Sequence, residues 1–195
     1  MLEELEIEFK LLISKEVYNK MILDFEQNSS TKTIQKNYYF DTKSLDLKDK
    51  DYSLRVREIE NTYQLTLKKP VDFSKKEYNE IIDQQTFNNL KNNKLINSEI
   101  FKILKEEGFD LNTLIYYCSL TTKRIEIPYQ LGILCLDKNY YFNKVDYELE
   151  FEAIDELSGK KAFLMLVNSY NLNYKKNCIS KISRAFKTLN EKNKE

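Results

Sequence analysis

Residues 3–12 read EELEIEFKLL. Leu5, Ile7, Phe9 and Leu11 share one parity, and Glu4, Glu6, Glu8 and Lys10 the other, so a strand here sorts its charges onto one face and its apolar groups onto the opposite one. The device recurs along the chain. In DYELEFE (146–152), Asp146, Glu148, Glu150 and Glu152 oppose Tyr147, Leu149 and Phe151. In SLRVR (53–57), Arg55 and Arg57 share a face, and in YQLTLKK (63–69) Lys68 lies with Gln64 and Thr66. Arg124 shares its face with Thr122 and Glu126.

Other signals fill in the order of elements. Ser14 caps a helix carrying Val17, Met21, Ile22 and Phe25. A strand follows over 32–41, then a hairpin of 51–59 and 62–69 turning at Glu60-Asn61, and a strand over 75–82. Helices are predicted over 83–92 and 98–107, the second starting at Asn97 or Ser98 and stopping at Gly108. Strands over 112–127, 132–138 and 143–153 precede helices over 156–169 and 180–189. No repeat at a fixed period is visible. About eight strands and a few helices give an α+β class with mainly antiparallel pairing, in one domain over residues 1–190 and a frayed tail over 191–195.

Composition narrows the chemistry. The 195 residues are 42% hydrophobic and 32% charged, as in a soluble globular protein, with 31 basic and 31 acidic residues and no net charge. That balance predicts no general attraction to nucleic acid or anionic membrane. Without histidine, Ser-His-Asp, Cys-His and His-zinc sites are excluded. Three glycines, at 108, 132 and 159, cannot build a Walker loop or a dinucleotide fingerprint. Cys118, Cys135 and Cys178 are odd in number and widely spaced, and read as small hydrophobes of a reducing compartment. An acidic, alternating N-terminus without a signal peptide, and no apolar run long enough to span a bilayer, lead to the expectation of a cytoplasmic protein.

A one-sided sheet alone can alternate charge with apolar groups. Here, however, the aligned charges of each strand mostly have one sign, and the sign changes between strands. Like charges at i, i+2 sit about 7 Å apart and repel, which a divalent cation relieves. With oxygen ligands only, that cation is Mg²⁺ or Mn²⁺. Paired arginines at strand spacing suit a bidentate grasp of phosphate. Should the polar faces all line the inside of a closed barrel, with the apolar faces outward under helices, the ligand that fits is a triphosphate carrying its own metal.

The motif Glu6-Ile7-Glu8-Phe9-Lys10 has the ExExK form of the CYTH superfamily, the triphosphate tunnel metalloenzymes. LRVR, LTLKKP, KEYNE, LTTKR, LDKNYYFNKVDYELEFE and SKISRAF follow in order, so that the chain resembles the family over about residues 3–187, most closely its short single-domain bacterial members. The resemblance implies an eight-stranded antiparallel barrel, the triphosphate tunnel, with helices packed outside. It implies metal ligation by Glu6, Glu8, Glu77, Asp137, Glu148 and Glu150, and substrate binding by Lys10, Arg55, Arg57, Lys68, Arg124, Lys181 and Arg184. Asn79 stands where many relatives carry a second carboxylate. Lys69, Glu58 and Glu80 fall on the other parity and are expected to be surface charges.

The expected activity is metal-dependent hydrolysis of a triphosphate, inorganic triphosphate being favoured because no base-recognition element is evident. Glu150 is a candidate to activate water, and Lys10 and Lys68 to stabilise developing charge. CYTH-type adenylyl cyclase, thiamine triphosphatase and a non-catalytic polyphosphate- or nucleotide-binding module are the alternatives. A small-molecule triphosphate is the expected partner, and monomer and homodimer both remain open.

Overall fold

The chain forms nine strands and six helices among the residues described by the computed structural model, 1–71 and 74–192. They divide between two compact units, Met1–Glu6 with Gln35–Ser119, and Ile7–Ile34 with Leu120–Glu195.

In the first unit the strand order is β1-β6-β5-β4-β3, built from β1 (Leu2–Glu6), β3 (Thr31–Thr42), β4 (Ser53–Ile59), β5 (Thr62–Val71) and β6 (Ser74–Ile82), with antiparallel pairing. Glu60 and Asn61 both take positive φ, 48° and 65°, in the two-residue turn expected between β4 and β5. The apolar parity of these strands, including Val56, Leu65 and Leu67, packs under α3 (Gln84–Lys91) and α4 (Glu99–Glu106) through Phe87, Leu90, Ile100 and Leu104. Ser98 is the cap of α4, accepting from the Ile100 amide, and Gly108 ends the helix at φ +85°.

The polar connection after β3 holds a one-turn helix, α2 (Asp46–Asp49), that hydrophobic periodicity could not reveal. The buried Asp41 carboxylate accepts the amides of Thr42, Leu47 and Lys48 and so organises it.

In the second unit the order is β7-β8-β9-β2, from β2 (Glu8–Ile13), β7 (Leu114–Tyr129), β8 (Gly132–Tyr141) and β9 (Lys144–Ala153). α1 (Lys15–Asp24) and α5 (Glu156–Ser169) cover its apolar parity, with Met21 and Phe163 fully buried against Phe151, Leu149 and Leu134. Gly159 permits the close approach of α5, because a Cβ there would lie 2.3 Å from that of Ala153.

Three expectations need correction. The strand expected over 3–12 is two strands, which raises the count from eight to nine. β1 pairs with β6 and β2 with β9, and the partner changes at Ile7 although the alternation runs on unbroken. β5 continues through Pro70, read as a loop, and β7 through Pro128, read as a break. The last helix, α6 (Lys181–Lys192), outruns its expected end at 189, and residues 193–195 of the expected frayed tail lie outside the described residues. No helix among the described residues is long and apolar enough to cross a membrane.

Candidate functional site

Parity places the polar side chains of each unit's strands together, and each unit carries its own charge cluster. In the first unit, register sets Lys68 opposite Glu77, Thr66 opposite Asn79, and Arg55 opposite both Tyr39 and Thr66. Lys68 Nζ lies 2.6 Å from Glu77 and donates to both oxygens of Glu6, at 2.7 and 2.5 Å. Arg57 donates from Nε to Asn37 Oδ1 at 3.2 Å. The Arg55 guanidinium sits 3.9 Å from Glu77, and its buried Nε–H has no hydrogen-bond partner among the described residues. Burial resists ionisation of Glu77, but Lys68, Arg55 and Arg57 overcome it and pull its carboxyl down to about 2. In the contacts described, Arg55, Arg57 and Lys68 thus meet Glu6 and Glu77, with an orphaned buried donor among them, while Glu4 stands opposite Glu77 in register and is exposed. A buried donor left unmade is costly, and an anionic oxygen would satisfy it.

The second unit reverses the balance. Arg124 grips Asp137 as a fork, Nε and Nη2 each donating at 2.8 Å, reaches Glu152 at 3.1 Å and also pairs with Glu150. Lys10 pairs with Glu8 on the same strand face. α6 lies on this polar face. Lys181 Nζ stands 2.9 Å from Asp137, 3.1 Å from Glu148 and 2.5 Å from Glu150, while Arg184 reaches Glu148 at 2.6 Å and Asp146 at 2.9 Å. Four cations therefore meet six carboxylates, and Asp137 and Glu148 are completely buried. Burial again opposes charge, yet Lys181, Arg124 and Lys10 hold the Glu150 carboxyl well below the usual carboxylate range. The opposite charges hold Lys181 and Arg124 in their charged forms against burial.

Every expected site residue belongs to one of these clusters, but the distribution differs from the expectation. Glu6 and Glu8, expected as a pair on one strand, fall in different units because of the break at Ile7. Lys69, Glu58 and Glu80 lie on the other face, as expected, and have partners there in Glu107, Tyr38 and Ser98.

Several participants were not singled out from the sequence. Asn139 donates to Asp146 and Glu148, and the Tyr141 hydroxyl to Asp146. Cys135 and Cys178, read as plain hydrophobes, lie against Glu152 and Glu148. Parity with Asp137 marks Cys135 and Asn139. Cys178 lies in the irregular stretch before α6, where no periodicity exists. In that stretch the Asn177 side chain accepts the Lys10 amide and donates to the Glu8 carbonyl, which ties the segment to β2.

The acids provide only hard oxygen donors, the set that Mg²⁺ or Mn²⁺ prefers. Among the described residues no group of three or more His, Cys, Asp or Glu is set to hold a metal ion as it stands. Three carboxylates nevertheless converge on one cation, the Lys181 ammonium, so these side chains can gather around a positive centre. The donor set fits the ion.

Comparison with known proteins bears on the family and the fold. The family model for the CYTH domain matches residues 4–186. The chain is 34% identical over 172 residues to "Putative triphosphatase YjbK" of Bacillus subtilis (strain 168), covering 88% of this chain and 90% of that one. A solved structure from Bacillus halodurans, described as a "putative adenylate cyclase", superposes with a TM-score of 0.88 at 31% identity, covering 95% of this chain and all of that one. A Hippeastrum protein, described as a "putative adenylyl cyclase" that reveals a dominant triphosphatase activity, shares the fold at a TM-score of 0.79 and 22% identity, over 94% of this chain and 96% of its own. From its ordered motifs, its sheet and these matches, the chain belongs to the CYTH domain family.

Proposed function

We propose that this protein hydrolyses the terminal phosphoanhydride of a triphosphate, inorganic triphosphate in the first place, with Mg²⁺ or Mn²⁺. The observation that carries the reading is one cluster of each kind. The first unit gathers Arg55, Arg57 and Lys68 and leaves the buried Arg55 Nε–H without a partner among the described residues, as suits an anion, and the second gathers Asp137, Glu148 and Glu150 around one positive centre, as suits a cation. The similarity to YjbK supports the same chemistry.

Glu8, Glu148 and Glu150 would hold the metal. Bound there, it would supply neutralisation of phosphate charge and a lowered pKa for a water molecule. Arg55, Arg57 and Lys68 bind phosphate oxygens. Lys10 and Arg124 stabilise the charge that develops on the transferred phosphoryl and leaving group. With no histidine, and with burial and Glu148 pushing the Cys178 thiol up to about 12, direct attack by water is favoured over a covalent intermediate.

A second reading, cyclisation of ATP, is favoured by the name of the Bacillus halodurans relative. Phosphate release and cyclic AMP formation, measured in parallel on inorganic triphosphate, thiamine triphosphate and ATP, separate the two. The expected result is phosphate release fastest from inorganic triphosphate, abolished by EDTA, with no cyclic AMP from Mn²⁺-ATP. Cyclic AMP as the main product would replace this reading with the cyclase.

A further inference from the structure

The strand cations differ in what faces them. Lys10 stands opposite Glu150, Lys68 opposite Glu77 and Arg124 opposite Asp137, so each has a carboxylate across the ladder. Arg55 and Arg57 of β4 are flanked differently. Arg55 lies between Tyr39 of β3 and Thr66 of β5, and Arg57 between Asn37 and Gln64 on the same two strands. All four flanking side chains are uncharged. Asn37, Tyr39 and Thr66 are buried, and Gln64 is half-buried. Asn79, opposite Thr66 on β6, extends the uncharged row by one strand.

A neutral neighbour can still hold an arginine. Asn37 Oδ1 accepts from Arg57 Nε at 3.2 Å. Burial opposes the charge of Arg55, and Tyr39, Glu77 and Glu6 sustain it. Glu77 lies 3.9 Å from Arg55 and already takes Lys68 at 2.6 Å. An arginine matched by a buried carboxylate must give up that pair to take phosphate, and breaking such a pair is costly. A neutral acceptor fixes the guanidinium and leaves its attraction for an anion whole. The Arg55 Nε–H, without a partner among the described residues, lies in this same uncharged row.

Resting on the triphosphate reading and deepening it, we infer that Asn37 is a positioning residue that holds Arg57 for the substrate's phosphates, and that the uncharged flanks of Arg55 and Arg57 keep the charge of both available to that substrate. Substitution separates the two parts. Leucine at 37 keeps the bulk and removes the acceptor, whereas aspartate keeps shape and acceptor and adds the charge that the row lacks. Glutamate at 64 adds the same charge on the other side of Arg57.

The test titrates the full-length protein with inorganic triphosphate in EDTA by calorimetry, and measures KM for triphosphate with Mn²⁺ and the melting temperature in parallel. Asn37→Leu is expected to weaken triphosphate binding about fivefold, the share of one hydrogen bond. Asn37→Asp and Gln64→Glu are expected to weaken it at least about tenfold, because a like charge now meets the phosphates. KM should follow the same order. Gln85→Glu, on the exposed side of α3, adds one negative charge elsewhere and should stay within about twofold of wild type. A merely structural Asn37 would instead lower the melting temperature, and the isosteric aspartate would bind triphosphate better than leucine. Gln64→Glu, at a half-buried position, is the variant to rely on should Asn37→Asp fail to fold. Wild-type affinity in Gln64→Glu, or in a folded Asn37→Asp, overturns the role of the uncharged flanks, and wild-type affinity in Asn37→Leu overturns the positioning role. Wild-type protein that neither binds nor consumes triphosphate, in EDTA or with Mn²⁺, overturns the triphosphate reading itself.

Discussion

Glu148→Gln is expected to reduce metal-dependent phosphate release by about a thousandfold, since a metal supplies several kcal/mol of charge stabilisation and each 1.36 kcal/mol is a factor of ten. Glu148 is fully buried, and its carboxylate meets Lys181, Arg184, Asn139 and Cys178. Glutamine keeps the shape and removes only the negative charge. The loss should appear in turnover at saturating triphosphate and should be partly recovered at high Mn²⁺, because the remaining ligands still attract the ion. Turnover rates across a metal titration, with the melting temperature as a control for folding, decide the matter. Wild-type turnover in a folded Glu148→Gln protein contradicts the metal role.

Arg124→Leu should have the largest effect on stability. Arg124 is 7% exposed and contacts Asp137, Glu150 and Glu152, of which Asp137 is completely buried. Leucine approximates the aliphatic stem but strands these carboxylates, and breaking a buried pair in this way costs about 3–5 kcal/mol. For a chain of this length that corresponds to a fall in melting temperature of about 10 °C. Arg124→Lys keeps the charge and loses the fork to Asp137, and should fall between the two. The exposed pair Lys144–Glu191 supplies the contrast, because Lys144→Ala should leave the melting temperature essentially unchanged. Thermal melts of the four proteins give the order, and an Arg124→Leu protein as stable as wild type contradicts the packing described for this cluster.

Much of this arrangement is legible in the sequence, because parity is strict wherever one face of a strand is polar and the other is packed. The faces of Arg55 and Arg57, of Lys68, and of Asp146 through Glu152 follow from alternation alone, and the three-residue spacing of Lys181 and Arg184 places both on one side of α6. Parity does not report which strands pair. The break at Ile7 leaves the alternation untouched while it hands Glu6 and Glu8 to different neighbours, so there are nine strands where alternation alone implies eight.

Two buried pairs, Thr66 with Asn79 and Thr122 with Asn139, each threonine hydroxyl donating to the amide oxygen at 2.7 Å, leave no sequence signal for a related reason. Thr66 precedes Glu77 by eleven residues and Thr122 precedes Asp137 by fifteen, because the two hairpins differ in length, and no search at a fixed period aligns them. Only register sets each threonine opposite its asparagine. Asn177 and Cys178 act through an irregular segment held by side chain to backbone bonds, and such bonds leave no period in a sequence.

The central claim, that the protein cleaves the terminal anhydride of a triphosphate with the help of a divalent ion, is tested most directly by following ³¹P resonances of inorganic triphosphate during reaction with the full-length protein. The account predicts pyrophosphate and orthophosphate appearing in equal amounts with Mg²⁺ or Mn²⁺, and unchanged triphosphate in EDTA. Triphosphate that persists with either metal, or is consumed equally fast in EDTA, contradicts it.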